Sequence, residues 1–178
     1  MELFEKTLNE QYAFKGRIIN LRVDEVELPN GSKSTREVVE HNGGIGILPI
    51  DDEGNAYVVK QWRAPYRCVV TEIPAGKRDG DENPLDGGIR ELKEEIGAVA
   101  ENITFLGEMY PSPGYCGEII YLYLATGLSF ENQDLDEDEF LNVEKIKFQT
   151  LVDMCLSGEI KDAKTICAVM KADKLLNK

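Results

Sequence analysis

Three glutamates near the middle of the chain have the spacing of a metal-binding face. Glu91, Glu94 and Glu95 are three and four residues apart, so a helix would bring their carboxylates to one side. Like charges about 4 Å apart cost about 4 kcal/mol at an effective dielectric of about 20, and a divalent cation would remove that cost. Solvation of an ordinary acidic helix face would also remove it. The residues around the glutamates decide between these two interpretations.

The flanking residues predict a helix with defined ends. Asn83 and Pro84 are typical of an N-cap and a first helical position, and Gly97 is a natural stop. Arg90 lies one turn before Glu94 and can pair with it. An apolar stripe at helical spacing predicts the side that packs inward, and it consists of Leu85, Ile89, Leu92 and Ile96.

The segment at residues 76–97 resembles the signature of the Nudix hydrolases, the Nudix box. A glycine, five residues, Glu82 and seven further residues precede Arg-Glu-Leu-Lys-Glu-Glu-Ile-Gly, and every strongly specified position is filled. Ala98 is a soft departure, because the pattern prefers a larger aliphatic residue there. Gly87 and Gly88 occupy positions usually taken by alanine, and each should weaken the helix by about 0.5–1 kcal/mol.

The resemblance implies a site for a hard divalent cation, Mg²⁺ or Mn²⁺. Its implied ligands are Glu91, Glu94, Glu95 and the backbone carbonyl of Ala75. Glu82 would support the loop before the helix or reach an outer metal ion, and Arg90 would orient the glutamates. A single histidine, His41, argues against a soft-metal site. A hard cation on carboxylates polarises phosphoryl oxygens, which predicts hydrolysis of a phosphate anhydride.

Composition limits the class of protein and of partner. A chain of 178 residues and 20.0 kDa fits one main domain with a small appendage. The net charge of -13 argues against nucleic acids and anionic membranes, which are polyanions themselves. The four cysteines are scattered, without a CxxC pair, and we find neither a signal peptide nor a membrane-length apolar run. We therefore expect a cytoplasmic enzyme.

Predicted strands on both sides of the signature helix would position these residues. We predict an N-terminal strand unit over residues 1–42, with a hairpin turn at residues 29–31, and a Nudix hydrolase domain over residues 43–178. Strands of the domain are predicted at 44–50, 56–61, 69–73, 103–110, 119–125 and 143–148, and helices at 151–156 and 162–176. The expected fold is α/β, a Nudix-type α/β/α sandwich with a mixed β-sheet plus a small N-terminal antiparallel unit. By resemblance that unit contributes to a homodimer, and the alternative is a lid on its own domain.

Motifs outside the box resemble the ADP-ribose pyrophosphatase branch of the family. They are Gln-Trp-Arg at 61–63, Ile-Pro-Ala-Gly at 73–76 and Ser-Pro-Gly-Tyr-Cys-Gly-Glu at 112–118, with Pro113 sixteen residues beyond Gly97. The implied reaction is hydrolysis of ADP-ribose, or a related nucleoside diphosphate sugar, to AMP and ribose 5-phosphate. The segment Asp-Ala-Lys-Thr at 162–165 also resembles the branch, and we assign it to packing or loop support only.

The flanking motifs supply candidate substrate contacts. Arg63 could pair with a phosphate or a terminal ribose, and Glu72 could accept hydroxyl or amino protons. Trp62 or Tyr66 could stack on adenine, although Trp62 would equally suit a core or an interface. The remaining predicted substrate-binding residues are Pro113 and Gly114.

The general base is expected in an acidic loop at residues 134–139. Alignment on its Glu-Phe pair favours Glu139, with Glu137 as the alternative, and a base there must reach the attacking water within about 3 Å. Glu118 lies near the metals in the family pattern, and its alternative is an ordinary loop carboxylate. Glu95 and Arg90 complete the predicted catalytic set.

Two other functions remain open at this stage. One is hydrolysis of another nucleoside diphosphate derivative, such as a different sugar conjugate, NADH or a dinucleotide. The other is a non-catalytic regulator that binds ADP-ribose. The complete glutamate set argues against the second function.

Overall fold

The structure is a computed structural model, and it describes residues 2–135 and 139–177. The strands in chain order are β1 (Lys6–Lys15), β2 (Asn20–Glu27), β3 (Lys33–Glu40), β4 (Gly44–Pro49), β5 (Asn55–Arg63), β6 (Cys68–Glu72), β7 (Ala75–Lys77), β8 (Ala98–Met109), β9 (Ile120–Phe130) and β10 (Leu141–Lys147). The helices are α1 (Pro84–Ile96), α2 (Phe148–Ser157) and α3 (Ala163–Leu176). Within the described residues no helix is long and apolar enough to cross a membrane.

Two compact units divide the chain. The first comprises Met1–Gly43 and Tyr110–Ile119, and the second comprises Gly44–Met109 and Ile120–Lys178. Residues 110–119 therefore belong with the N-terminal strands, which their position in the chain does not indicate. The predicted division at residue 42, with a dimerising first unit, stays a prediction.

The first unit is an antiparallel sheet in the order β1-β2-β3. The predicted hairpin turn between β2 and β3 is confirmed, since Gly31 adopts the left-handed conformation at φ 82° and Asn30 accepts a hydrogen bond from the Ser32 N–H at 3.0 Å. The segment at 110–119 joins β3 through Val39, which donates to the Tyr115 carbonyl and accepts from the Gly117 N–H. Every residue of β1 is exposed.

The second unit has two sheets. The order β7-β4-β9-β8 forms a mixed sheet in which β4 and β9 run parallel, and β10-β5-β6 forms an antiparallel sheet. Side chains alternate along β4, as expected for a strand buried on both faces. Ile45 and Ile47 pack with Leu92 of α1, whereas Leu48 packs with Leu151 of α2 and Val169 of α3. The predicted α/β/α arrangement is confirmed.

The ends of α1 are where the sequence predicts them. The Asn83 side chain accepts from the Leu85 N–H, and Gly97 stops the helix in the left-handed conformation at φ 65°. The predicted inward stripe is half wrong, because Leu85 and Ile89 are 38% and 46% exposed. Gly87 and Gly88 are buried in their place. An ideal Cβ on either glycine would lie 2.9 or 3.3 Å from Ile45, so their small size lets the helix lie close to β4.

Candidate metal and nucleotide site

Glu95 is a buried carboxylate held by the backbone that precedes the signature loop. It lies on the inner face of α1 with 1% of the residue exposed, and its Oε2 accepts a hydrogen bond from the Ala75 N–H at 2.9 Å. Burial raises the pKa of Glu95 to about 8, and the neighbouring charges of Glu139 and Glu91 act in the same direction. A cation beside Glu95 would stabilise its ionised form.

Glu91 lies one turn earlier on α1 and contacts the next residue of the same backbone segment. An ideal Cβ on Gly76 would lie 1.7 Å from Glu91 Oε1, so any larger residue there would force this carboxylate to move. Burial raises the pKa of Glu91 to about 7, although the Arg90 guanidinium lowers it in part. Two buried carboxylates therefore meet the backbone at Ala75 and Gly76.

Arg90 balances much of this negative charge. Its Nη1 donates to Glu91 and Glu94 at 2.8 Å each, which confirms the predicted pairing with Glu94. Its Nε and Nη2 donate to Glu82 at 3.3 Å. Glu82 also accepts from the Asp79 N–H within the loop, and the hydrogen bond from Arg90 lowers its pKa. These contacts suit the predicted loop-supporting role of Glu82.

The backbone segment at residues 73–75 is held at three points. The Ile73 N–H donates to Thr165 Oγ1 on α3 at 2.8 Å, and the Pro74 carbonyl accepts from the Ile47 N–H at 2.9 Å. The third point is the hydrogen bond between Ala75 and Glu95. The carbonyl that the resemblance assigns to a metal ion is therefore part of a fixed segment.

The donor set fits a hard divalent cation. It consists of carboxylate and carbonyl oxygens, and two of its carboxylates are buried enough to need positive charge. Among residues 2–135 and 139–177, no group of three or more Asp, Glu, His or Cys side chains is arranged to hold a metal ion. Arg90 draws Glu91 and Glu94 to its own guanidinium, so these two carboxylates would have to turn to bind an ion together.

Arg63 and Glu72 form an ion pair in which Glu72 is buried and Arg63 is half-buried. Arg63 donates from Nε and Nη2 to the two Glu72 oxygens at 2.6 and 2.7 Å, and Lys164 also contacts Glu72 Oε2. Burial alone would raise the pKa of Glu72, but these two cations more than offset it and lower the pKa. Both oxygens of Glu72 thus have partners within the protein, which the sequence does not predict.

The predicted aromatic contacts lie at the surface. Trp62 is 59% exposed near the end of β5, and Tyr66 is 77% exposed in the following turn. Trp62 is therefore not a core residue of this chain. Stacking on a base and contact with another surface both remain compatible with its exposure.

Glu139 lies in the same region as these carboxylates. Gln61 of β5 donates to Glu139 Oε1 at 3.3 Å, and the Glu139 charge raises the pKa of both Glu91 and Glu95. The alternative base, Glu137, lies outside the described residues. The choice between the two stays a prediction.

Pro113, Gly114 and Glu118 belong to the first unit, together with the N-terminal strands. Within that unit Glu118 Oε1 lies 3.4 Å from His41 Nδ1. Their predicted roles in binding and catalysis stay predictions.

Sequence reasoning missed two residues of this region, Gln61 and Lys164. Gln61 belongs to the Gln-Trp-Arg motif at 61–63, in which the sequence predicts substrate contacts only for the other two residues. Lys164 stands in the Asp-Ala-Lys-Thr segment, where only packing or loop support was predicted. Its contact with Glu72 spans 92 residues, and no local pattern indicates such a contact.

Family comparisons agree with the geometry. Residues 40–169 match the model of the NUDIX domain, and residues 5–39 match that of the nucleoside diphosphate sugar hydrolase N-terminal domain. A solved structure described as an ADP compounds hydrolase superposes with a TM-score of 0.87 at 22% identity, covering 99% of this chain and 97% of that one. At that identity it shows a shared fold.

Two curated relatives cover almost the whole chain. The ADP-ribose pyrophosphatase of Bacillus subtilis (strain 168) is 42% identical over 94% of this chain and 91% of its own length. The methanol dehydrogenase activator of Bacillus methanolicus is 40% identical over 93% of this chain and 90% of its own length. With a matched domain, a matched signature helix and relatives of this similarity, the chain belongs to the Nudix family of hydrolases.

Proposed function

We propose that the chain hydrolyses the diphosphate of ADP-ribose to AMP and ribose 5-phosphate. The observation that carries this proposal is the meeting of two buried carboxylates, Glu91 and Glu95, with the backbone of Ala75 and Gly76. The ADP-ribose pyrophosphatase of Bacillus subtilis, similar along nearly its whole length, supports the choice of substrate. A small-molecule nucleotide is the substrate class of the family.

Nudix hydrolases need divalent metal ions, and we propose Mg²⁺ here, with Mn²⁺ as the alternative. The residues that would hold the ion are the Ala75 carbonyl, Glu91, Glu94 and Glu95, with Glu82 at an outer position. A bound ion supplies polarisation of the phosphoryl oxygens and neutralises the charge that develops on them. Arg90 would then orient the glutamates from the side.

The protein groups around the ion would move the proton. Glu139, held by Gln61, would accept a proton from the water whose oxygen attacks one phosphorus, and Glu137 is the alternative base. As the new P–O bond forms, the bond to the bridging oxygen breaks and that oxygen leaves with its electron pair. Glu118 is proposed to assist in the same reaction.

Substrate contacts are proposed for residues near the end of β5. Arg63 would pair with the diphosphate through its planar fork, and Trp62 or Tyr66 would stack on adenine. Glu72 was predicted to accept protons from the substrate, and its two internal partners make that role depend on their release. Pro113 and Gly114 are also proposed to bind the substrate.

The N-terminal unit is proposed to form a homodimer. Its strand β1 is exposed along all ten residues and carries Leu8, Tyr12 and Phe14 at the surface, which supports a second chain as its partner. The proposed domains are residues 1–42 and 43–178. The described cysteines are all free, which supports a cytoplasmic location.

Other nucleoside diphosphate derivatives are the second candidate class of substrate. The match of residues 5–39 to a nucleoside diphosphate sugar hydrolase domain favours this alternative. A regulatory role has one supporting observation, the similarity to a relative named for activation of a dehydrogenase. Binding of ADP-ribose without turnover in metal-replete buffer would favour regulation.

The test is incubation of the protein with ADP-ribose and Mg²⁺ in ¹⁸O-labelled water, with products read by mass spectrometry. AMP and ribose 5-phosphate are the expected products, and the labelled one identifies the phosphorus that water attacks. Intact ADP-ribose would overturn the proposed substrate. A panel of sugar nucleotides and dinucleotides at equal concentration would then identify another one.

A further inference from the structure

Two cations, Arg63 and Lys164, contact the carboxylate of Glu72. Its side chain is 3% exposed at the end of β6, with Arg63 on both oxygens and Lys164 on Oε2. One cation would be enough to balance this carboxylate in the interior. Lys164 also contacts Asp162, so the group contains two cations and two carboxylates. If Lys164 stays between these two carboxylates, Arg63 is the cation that another anion can take.

The two cations differ in how firmly they are held. The Lys164 side chain is 11% exposed, and its Nζ also lies 3.1 Å from Asp162 Oδ1. Asp162 caps α3 by accepting from the Thr165 N–H at 2.9 Å, so Lys164 is tied to the first turn of a packed helix. The Arg63 side chain is 37% exposed at the last residue of β5, and Glu72 is its ion-pair partner among the described residues.

We propose that Lys164 is a positioning residue for nucleotide binding: it stays on Glu72 as the permanent counter-ion, which frees Arg63 to move from Glu72 to the substrate diphosphate. This inference rests on the proposed function, because it takes a diphosphate as the ligand of Arg63. With this proposal the Asp-Ala-Lys-Thr segment takes part in substrate binding and not only in packing. It also makes Glu72 an internal anchor and not a substrate contact.

The physical reason is the cost of a buried charge without a partner. If Lys164 were absent, movement of Arg63 to the ligand would leave the Glu72 carboxylate buried and unpaired. Arg63 would then remain on Glu72, and the diphosphate would lose a charge-assisted contact. If Lys164 and the Glu72 charge were both absent, nothing would hold Arg63 back.

The test measures the affinity of α,β-methylene ADP-ribose, whose bridging carbon resists hydrolysis, by calorimetry with Mg²⁺. Lys164→Met should weaken binding at least about tenfold, as should Arg63→Met, because one charge-assisted hydrogen bond is lost. Lys164→Met combined with Glu72→Gln should restore binding to within about threefold of wild type, because a neutral amide does not retain Arg63. Lys164→Arg should also bind within about threefold, and exposed Lys161→Met is the matched control.

Each outcome supports or overturns the inference. Wild-type affinity in Lys164→Met, or failure of the double variant to regain affinity, would overturn it, since a merely structural loss is not rescued by a second substitution. If Lys164→Met does not fold, Glu72→Gln alone decides: binding at least as tight as wild type supports the inference, and a tenfold loss would make Glu72 a direct contact. No binding by the wild-type protein would refute the proposed function itself, and this inference with it.

Discussion

Gly76 is the residue at which the backbone and the acidic helix face come closest. A Cβ there would lie 1.7 Å from Oε1 and 2.0 Å from Cδ of Glu91, far inside any permitted contact. The signature thus needs glycine at this position for space, and its φ angle is not the reason. The helix glycine Gly88 differs, since its Cβ would lie 3.3 Å or more from every neighbouring atom.

Gly76→Ala should lower kcat/KM at least about 100-fold, because its Cβ would fill the space that the Glu91 carboxylate uses beside the Ala75 and Gly76 backbone, where a metal ion is proposed to bind. Steady-state kinetics and titration with Mn²⁺ by electron paramagnetic resonance would measure the effect. Gly88→Ala is the matched control and should keep its activity, with the unfolding free energy changed by no more than about 1 kcal/mol, because the gain in helix propensity is opposed by the close contact with Ile45. Equal activity of the two variants would contradict the proposed role of this close approach.

Glu95→Gln should reduce turnover at saturating Mg²⁺ at least about 100-fold, since an amide removes the charge but keeps the size of the side chain. The exposed surface variant Glu159→Gln should behave as wild type. Circular dichroism would check that both variants are folded. Wild-type turnover in Glu95→Gln would exclude Glu95 as a metal ligand.

Single residues could be placed from the sequence where the interaction is local. Arg90 and Glu94 are one helical turn apart, and their ion pair follows from that spacing. The pairing of Arg63 with Glu72 depends on the register of β5 against β6, which the residue types do not fix. The contact of Lys164 with Glu72 depends on how a distant helix docks, so no sequence spacing predicts it.

At the scale of elements, the turn between β4 and β5 is built around one carboxylate. Asp51 accepts from the Glu53 and Asn55 N–H groups at 3.0 and 2.8 Å and from Tyr57 Oη at 3.1 Å, and it pairs with Lys145 at 2.8 Å. Burial alone would raise the pKa of Asp51, but these donors lower it well below its ordinary value of 3.8. The ionised side chain therefore stabilises the hairpin.

The lowered pKa of Asp51 predicts a pH dependence of stability. The contribution is fully present above its ordinary pKa of 3.8 and is lost as the pH falls further towards the folded-state pKa. Asp51→Asn should lower the unfolding free energy by about 1–3 kcal/mol at pH 7. Urea unfolding across the pH range should show this difference shrinking below pH 4, whereas the exposed neighbour Asp52→Asn should show none. A difference that is constant with pH would contradict the assignment.

Some helices and strands are likewise determined by residues close in sequence, and others by contacts with distant residues. The ends of α1 follow from Asn83, Pro84 and Gly97, whose backbone preferences act within a few residues. Strand β7 is not predicted by the sequence, because its three residues are a strand only through pairing with β4. The predicted inward stripe of α1 is half wrong, because the buried residues Gly87 and Gly88 are glycines and carry no hydrophobic signal.

At the scale of the whole molecule, a homodimer should have twice the chain mass of 20.0 kDa in light scattering at micromolar concentration. Leu8→Glu combined with Phe14→Glu should shift it to the monomer, because both apolar side chains are exposed on β1. Leu156→Glu, at a more exposed apolar position on α2, is the control and should stay dimeric. A monomeric wild type would refute the proposed assembly.

The hydrogen bond between Ile73 and Thr165 also has a consequence for synthesis on the ribosome. Thr165 follows Ile73 by 92 residues, which takes about 5–18 s to translate at typical rates. During that interval the nascent chain carries the acidic helix while the strand segment beside it lacks its hydroxyl anchor and Glu72 lacks Lys164. A chain released before residue 162 would contain the entire signature and still lack these two supports. The site is therefore completed late in the synthesis of each chain.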